Sequence, residues 1–328
     1  MTQIAINKDT TDFGEFRNYT DSKHQERVER TYREMQTNQT LDFVTQNKTK
    51  YFKLEHGKMD VYQVFKLLEE VVDESDPDSD LPQIIHAYQS AESICDFAMN
   101  GDTELRDDLE IRPLFKDNIW NNLPEKWRDL YAANTIKTLY HNIKDWSWFP
   151  LLGFIHDLGK VMLLPKFGKL PQWAVVGDTY PVAAPFASSN VFFAKNYYQD
   201  SPDFKIYDTQ TETTFGNYPK NCGFDNIHMT WGHDEYVYEA MRQGSTICEE
   251  GLYLLRYHSF YPWHTPQTGV MAYTELASDY DWLMLPLLKA FQKADLYSKS
   301  PDLPPLNELE AKYKKLLDKF IPQKQINW

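Results

Sequence analysis

Residues 154–160 read FIHDLGK and lie inside a long apolar run, WSWFPLLGFIHDLGKVMLL, at 146–164. The run reads as a helix buried on most sides, yet His156, Asp157 and Lys160 stand in its middle. An unpaired buried charge is costly enough that the group neutralises or finds a partner. The partners of these three residues therefore decide what the surrounding fold is for.

The same intrusion recurs elsewhere. His86 follows Ile84 and Ile85, and His233 follows the Trp231–Gly232 pair and opens a helical stretch. Gly251, Leu254, Leu255 and His258 share one helical face by their 3-1-3 spacing. Met284, Leu288, Phe291 and Asp295 share another by 4-3-4 spacing, so an aspartate closes an apolar stripe. Taken singly, each histidine is more often a satisfied core residue, and each aspartate a cap or an arginine partner. Six intrusions on five helical segments are explained together by a shared cation. His156 and Asp157 point about 100° apart on a helix, so the carboxylate can share one metal with its neighbour or bridge two. Histidine and carboxylate without cysteine suit iron, manganese, zinc or cobalt, and spacing alone does not choose among them.

The bulk properties agree with a sizeable core. The chain has 328 residues, 42% apolar and 15% aromatic, enough for one large domain or two ordinary ones. A net charge of −14 makes it a poor candidate for nucleic acid or an anionic membrane. Three cysteines without a CxxC pair argue against a disulfide framework and against a cysteine-based zinc site. The N-terminal residues lack a basic and apolar signal pattern, and no charge-free run is long enough to span a bilayer. The reducing cytoplasm is the expected compartment.

Along the chain, residues 1–15 are polar and read as a frayed, flexible start. Asp21 to Lys66, VYQVFKLLEEVV (61–72) and LPQIIHAYQSAESICDFAM (81–99) read as helical, the last opened by Pro82. Residues 100–143 are charged with scattered aromatics and read as a surface insertion. QWAVVGDTYPVAAP and SSNVFF suggest loop and a short strand pair. Helical spacing returns at WGHDEYVYEAMRQ, EEGLYLLRYHSFYPWH, DYDWLMLPLLKAFQKADLYSK and LNELEAKYKKLLDKFI. The expectation is a mostly α, single-domain fold over 1–328 with few short strands.

HD followed by LGK resembles the HD-domain superfamily, an all-helical metal-binding fold. FRNYT, RTYREM, VDESDPDSDLPQIIHAYQSAE, FIHDLGKVM, PQWAVVGDTYPV, WGHDEYVYE, RYHSFYPWH and KADLYSKSPDLP occur in the order found in the myo-inositol oxygenase family, across about Phe16 to Trp328. The resemblance implies two iron ions in a mixed-valent Fe(II)/Fe(III) state. One would be held by His86, His156, Asp157 and Asp295, the other by His233 and His258, with Asp157 bridging. It implies ring cleavage of myo-inositol by O₂ between C1 and C6, a four-electron oxidation through a superoxo species that takes the C1 hydrogen. The product would be D-glucuronate, in inositol catabolism.

The same resemblance assigns further roles. Lys160 would contact the hydroxyl at the reacting carbon and, with Asp157, carry the chemistry. Lys299, four residues after Asp295, would be placed likewise. Gly177, Asp178, His258 and Ser259 would hold other parts of the substrate. Arg17, Tyr32 and Asp73, Glu74 and Ser75 match the family's lid, which would keep water from a reactive oxygen species. Pro77 and the missing glycine argue against reading 73–80 as a calcium loop. His228 and His264 are left as structural.

Three departures stand out. The stretch between His86 and His156 is much longer than the family's, Val182-Ala183 replaces a valine-glycine pair, and the loop after His264 is extended. A phosphohydrolase on the same scaffold would gather basic residues, and the motif regions offer few beyond Lys160 and Lys299. A binding module with a decayed metal site would not keep all six ligand candidates. The expected partner is a small polyol, and the expected state is a monomer.

Overall fold

A computed structural model describes residues 17, 19, 20, 22–78, 83–296 and 303–328. The frayed start expected at 1–15, Pro82 and Lys299 lie outside them. Among the described residues the fold is mostly helical. In chain order α1 is Gln25–Asn38, α2 Leu41–Tyr51, α3 Val61–Leu67 and α4 Gln83–Ala98. Then come α5 (Asp117–Trp120), α6 (Glu125–Ala132), α7 (Ile136–Leu139), α8 (Trp148–Ile155) and α9 (Phe204–Tyr207). The last five are α10 (His233–Gly244), α11 (Glu249–Tyr257), α12 (Tyr261–His264), α13 (Asp279–Leu296) and α14 (Leu306–Phe320). Among the described residues, strands are confined to three two-stranded antiparallel ribbons. One joins Lys58–Asp60 to Gln325–Asn327 near the C-terminus, where Trp328 is buried. No described helix is long and apolar enough to cross a membrane.

Two places run differently from the sequence expectation. The region 171–193 holds no strand pair; it runs in 3-10 turns with a single bridge, Pro181 to Met229. The apolar run at 146–164 is not one helix. It is α-helical only over Trp148–Ile155 and continues as a 3-10 helix over Leu158–Leu163. Asp157 stands at the join with φ −90° and ψ 0°, in the bridge region between helix and extended backbone. So the polar residues lie where the helix changes winding, and the Asp157 side chain leaves the regular helical direction.

Two glycines let elements close on this point. A Cβ on Gly153 would lie 2.8 Å from the Ala91 backbone, so α8 crosses α4 at near backbone contact and brings His156 beside His86. A Cβ on Gly159 would overlap the His233 carbonyl. Here two backbones meet and no rotamer can relieve the clash. Gly159→Ala is expected to cost on the order of 3 kcal/mol and to push His233 away from Asp157. Thermal melting and metal content together check this.

Residues 100–143 lie along α13. A hairpin at Met99–Asn100 and Glu104–Leu105 opens the segment. Its Ile111, Phe115, Ile119, Trp127, Tyr131, Ile136 and Tyr140 are buried in the main hydrophobic cluster. Pro286 sits inside α13 and has no N–H for the Trp282 carbonyl four residues back. The Tyr131 hydroxyl donates to that carbonyl, and Tyr140 donates to the carbonyl of Leu283. Tyr131 thus satisfies the carbonyl that the proline leaves open on the helix carrying Asp295, and Tyr140 adds a donor to the next one.

Candidate metal centre and substrate pocket

Five elements converge around Asp157. His86 comes from α4, His156 from the end of α8, His233 from the start of α10, and His258 caps α11. Asp295 is supplied by the last turn of α13. His86 Nε2 lies 3.0 Å and His156 Nε2 3.2 Å from Asp295 Oδ1. The same nitrogens lie 3.7 and 3.4 Å from Asp157 Oδ2. On the other side, Asp157 Oδ1 is 3.3 Å from His233 Nε2, which is 3.0 Å from His258 Nε2. One carboxylate therefore turns one oxygen to each pair of histidines.

The donor set fits a metal. Neighbouring ligands of an ion with bonds of about 2.1 Å stand roughly 3.0–3.4 Å apart, the spacing of these atoms except for His86 Nε2 and Asp157 Oδ2 at 3.7 Å. His156, His233 and His258 each direct Nδ1 at a backbone carbonyl, of Gly153, Val175 and Leu255, at 2.8–2.9 Å. A carbonyl only accepts, so each Nδ1 carries a proton and each Nε2 is the nitrogen turned to the centre, the orientation typical of metal-bound imidazole. Asp157 Oδ2 is buried and makes no hydrogen bond of standard geometry, although Lys160 Nζ lies 2.9 Å away. Burial, reinforced by the His233 and His156 rings, holds His258 well below the usual imidazole range, so it is neutral. Burial opposes charge on Asp157, but His156, Lys160 and His233 outweigh it and keep it ionised. Burial likewise opposes charge on Asp295, and His156 and His86 outweigh it. Two ionised carboxylates held among four imidazoles suit a shared cation.

A cleft opens over this cluster, lined by Arg17, Asp73, Ser75, Lys160, Gly177, Asp178, Ser259 and Tyr261 among others. Lys160 Nζ lies 2.8 Å from Asp73 Oδ2 and from Gln83 Oε1. Burial alone would lower its pKa; Asp157 and Asp73 reverse that and raise it, so Lys160 is an ammonium. Asp73 accepts from the Ser75 backbone N–H and hydroxyl, an Asx turn that aims both side chains inward. Glu74, between them, points the other way. Its carboxylate pairs with exposed Arg30 at 3.1 Å, and only its N–H is held from below, by Gln172.

Across the cleft the Arg17 guanidinium pairs with Asp178 and lies 3.4 Å above the Tyr261 ring. Tyr32 donates to Asp178 Oδ1 at 2.8 Å and accepts from the Asp178 N–H at 3.2 Å. Asp78 takes the Arg17 N–H at 2.8 Å. Residues far apart in sequence thus close over one opening. Ser259 Oγ is 3.4 Å from His233 Nε2, at the cleft floor.

The family model for myo-inositol oxygenase matches residues 25–104 and 121–328. Inositol oxygenase of Mus musculus is 38% identical over 322 residues, covering 98% of this chain and 92% of that protein. That of Homo sapiens is 39% identical over 313 residues, covering 95% and 90%. The Dictyostelium discoideum protein, also named inositol oxygenase, is 36% identical over 321 residues, covering 97% and 91%. The chain belongs to the myo-inositol oxygenase family. It is accordingly an oxygenase. The stretch 105–120 that this family's model leaves unmatched falls inside the segment over α13.

Some residues of this oxygenase pocket escaped the sequence reading. Tyr261 donates to Asp295 Oδ2 at 3.2 Å and carries Arg17 on its ring. It lies three residues after His258 within RYHSFYPWH, so ligand spacing was an available signal. Gln83 and Tyr19 offered none: a glutamine at a helix start and a tyrosine near the N-terminus are common surface residues.

Proposed function

We propose that the protein opens the ring of myo-inositol with O₂ at a di-iron centre. Its ligands would be His86, His156, Asp157, Asp295, His233 and His258, with Asp157 bridging. One inositol and one O₂ would give one D-glucuronate and one water, with cleavage between C1 and C6. When bound, the mixed-valent iron pair would relay electrons from the substrate to O₂ and offer a chelate for neighbouring hydroxyls of the substrate.

The observation that carries the reading is the charge state of the pocket. Among the described residues, each cation lining the cleft is already matched: Lys160 by Asp73 and Asp157, Arg17 by Asp178. A phosphate ester would meet no surplus positive charge. A neutral polyol needs many donors and acceptors instead, and the cleft offers ammonium, carboxylate, hydroxyl and amide groups together. Lys160 holds the hydroxyl at the reacting carbon and steadies negative charge that develops there. Asp178 and the Gly177 backbone hold hydroxyls on the far side, Ser75 and Ser259 the near ones, and Lys299 is assigned the same task from the family pattern. Arg17 and Tyr32, pinned on Asp178, close the opening and exclude water.

The test is O₂ uptake by iron-loaded, partly reduced protein with myo-inositol, with glucuronate assayed. Equal amounts of O₂ consumed and glucuronate formed are expected; phosphate release from esters without uptake would overturn the reading. Arg17→Ala should raise KM for myo-inositol about tenfold, the worth of a charge-assisted hydrogen bond. It should also make O₂ consumed exceed glucuronate formed, because water reaches the centre. A ratio of one would remove Arg17 from the closure.

A further inference from the structure

His264 stands outside the proposed ligand set, is fully buried, and points back at it. Its Nε2 lies 3.0 Å from the carbonyl oxygen of His258, the residue proposed to bind the second iron. That carbonyl sits just past the end of α11, where the last carbonyls of a helix lack intrahelical partners. The N–H four residues on would belong to Pro262, which has none. Two side chains fill the gap instead: His264 Nε2 and Gln292 Nε2 both donate to the His258 carbonyl.

The direction of the chain behind His264 follows from the donors. With Nε2 donating to a carbonyl, Nδ1 must accept, and the Thr265 hydroxyl lies 2.9 Å from it. Thr265 Oγ1 in turn accepts a hydrogen bond from Lys289 Nζ at 3.4 Å. Lys289 is 6% exposed and sits beneath the Phe115 ring, in the stretch that the family model leaves unmatched. Neutrality of His264 agrees with this order, since burial and the nearby Lys289 hold its pKa well below the usual range.

We infer that His264 is a positioning residue for the second metal position: it fixes the peptide plane after His258, and so aims the His258 imidazole and the Ser259 hydroxyl, with its own ring held on the Nδ1 side by Thr265 and Lys289. The inference rests on the proposed ligand role of His258. The experiment is titration of the metal-free full chain with Co(II) alone, followed by its visible absorption. Wild-type protein is expected to bind two ions. His264→Leu is expected to bind one of them about 10–100-fold more weakly, the loss usual for a group that orients a ligand, with the other unchanged. His264→Gln, whose Nε2 stands where the imidazole Nε2 does, should restore most of it and recover the absorption band. Wild-type affinity for both ions in His264→Leu would overturn the inference. If that variant does not fold, Thr265→Val removes the hydroxyl that holds the Nδ1 side of the His264 ring, and an unchanged titration there overturns it equally. Fewer than two ions in wild-type protein would instead count against the proposed ligand set.

Discussion

Asp157→Ala is expected to leave less than about one metal ion per chain and no measurable ring cleavage, because its two oxygens face different histidine pairs. No other described carboxylate can take over. Asp295 reaches His86 and His156 through Oδ1, while its Oδ2 is held by Tyr261. Losing the charge also leaves the His233 and His258 nitrogens, 3.0 Å apart, without an anion beside them. Asp157→Asn tests charge separately from shape, and should also fail, since an amide nitrogen donates where a lone pair is needed. Metal analysis after dialysis reads both variants. Two ions retained in Asp157→Ala would end the bridging role, and selective loss of one ion would place Asp157 in a single site.

Lys160→Ala should behave in the opposite way: metal content unchanged, turnover reduced by about 10²–10³, the usual loss for removing one donor aimed at developing charge. The ammonium is held between Asp73, Asp157 and Gln83, so its position is set before substrate arrives. Asp73 would lose its counter-charge in a buried site, and a fall in stability on the order of 3 kcal/mol is expected as well. For that reason kcat, metal content and melting must be measured on the same preparation. Wild-type kcat with a lowered melting temperature would make Lys160 a structural cation only. Loss of metal would move it into the metal shell.

Much of this was legible in the residues themselves. Helical periodicity is local, so α4, α11, α13 and α14 could be read from spacing. A histidine or aspartate on an apolar stripe is likewise a local oddity, and His86, His156, His233, His258, Asp157 and Asp295 stand out for that reason. The apolar run at 146–164 misled only in its winding, because apolar content does not distinguish an α-helix from the 3-10 turns after Asp157. Glu74 could not be separated from Asp73 and Ser75 by sequence: in a turn, which of three adjacent polar groups faces in depends on the backbone path.

The sequence by itself determined a mostly helical chain, six polar groups that could not be buried unpaired, and a lysine one turn beyond the first pair. Tertiary structure alone decided how those groups share charge. Only the fold closes Arg17 on Asp178, seats Tyr131 on the carbonyl that Pro286 leaves open, and turns His264 toward His258. Apolar burial depends on composition and period, which are written along the chain. A hydrogen bond or ion pair depends on a few tenths of an ångström between atoms distant in sequence, and packing sets that distance.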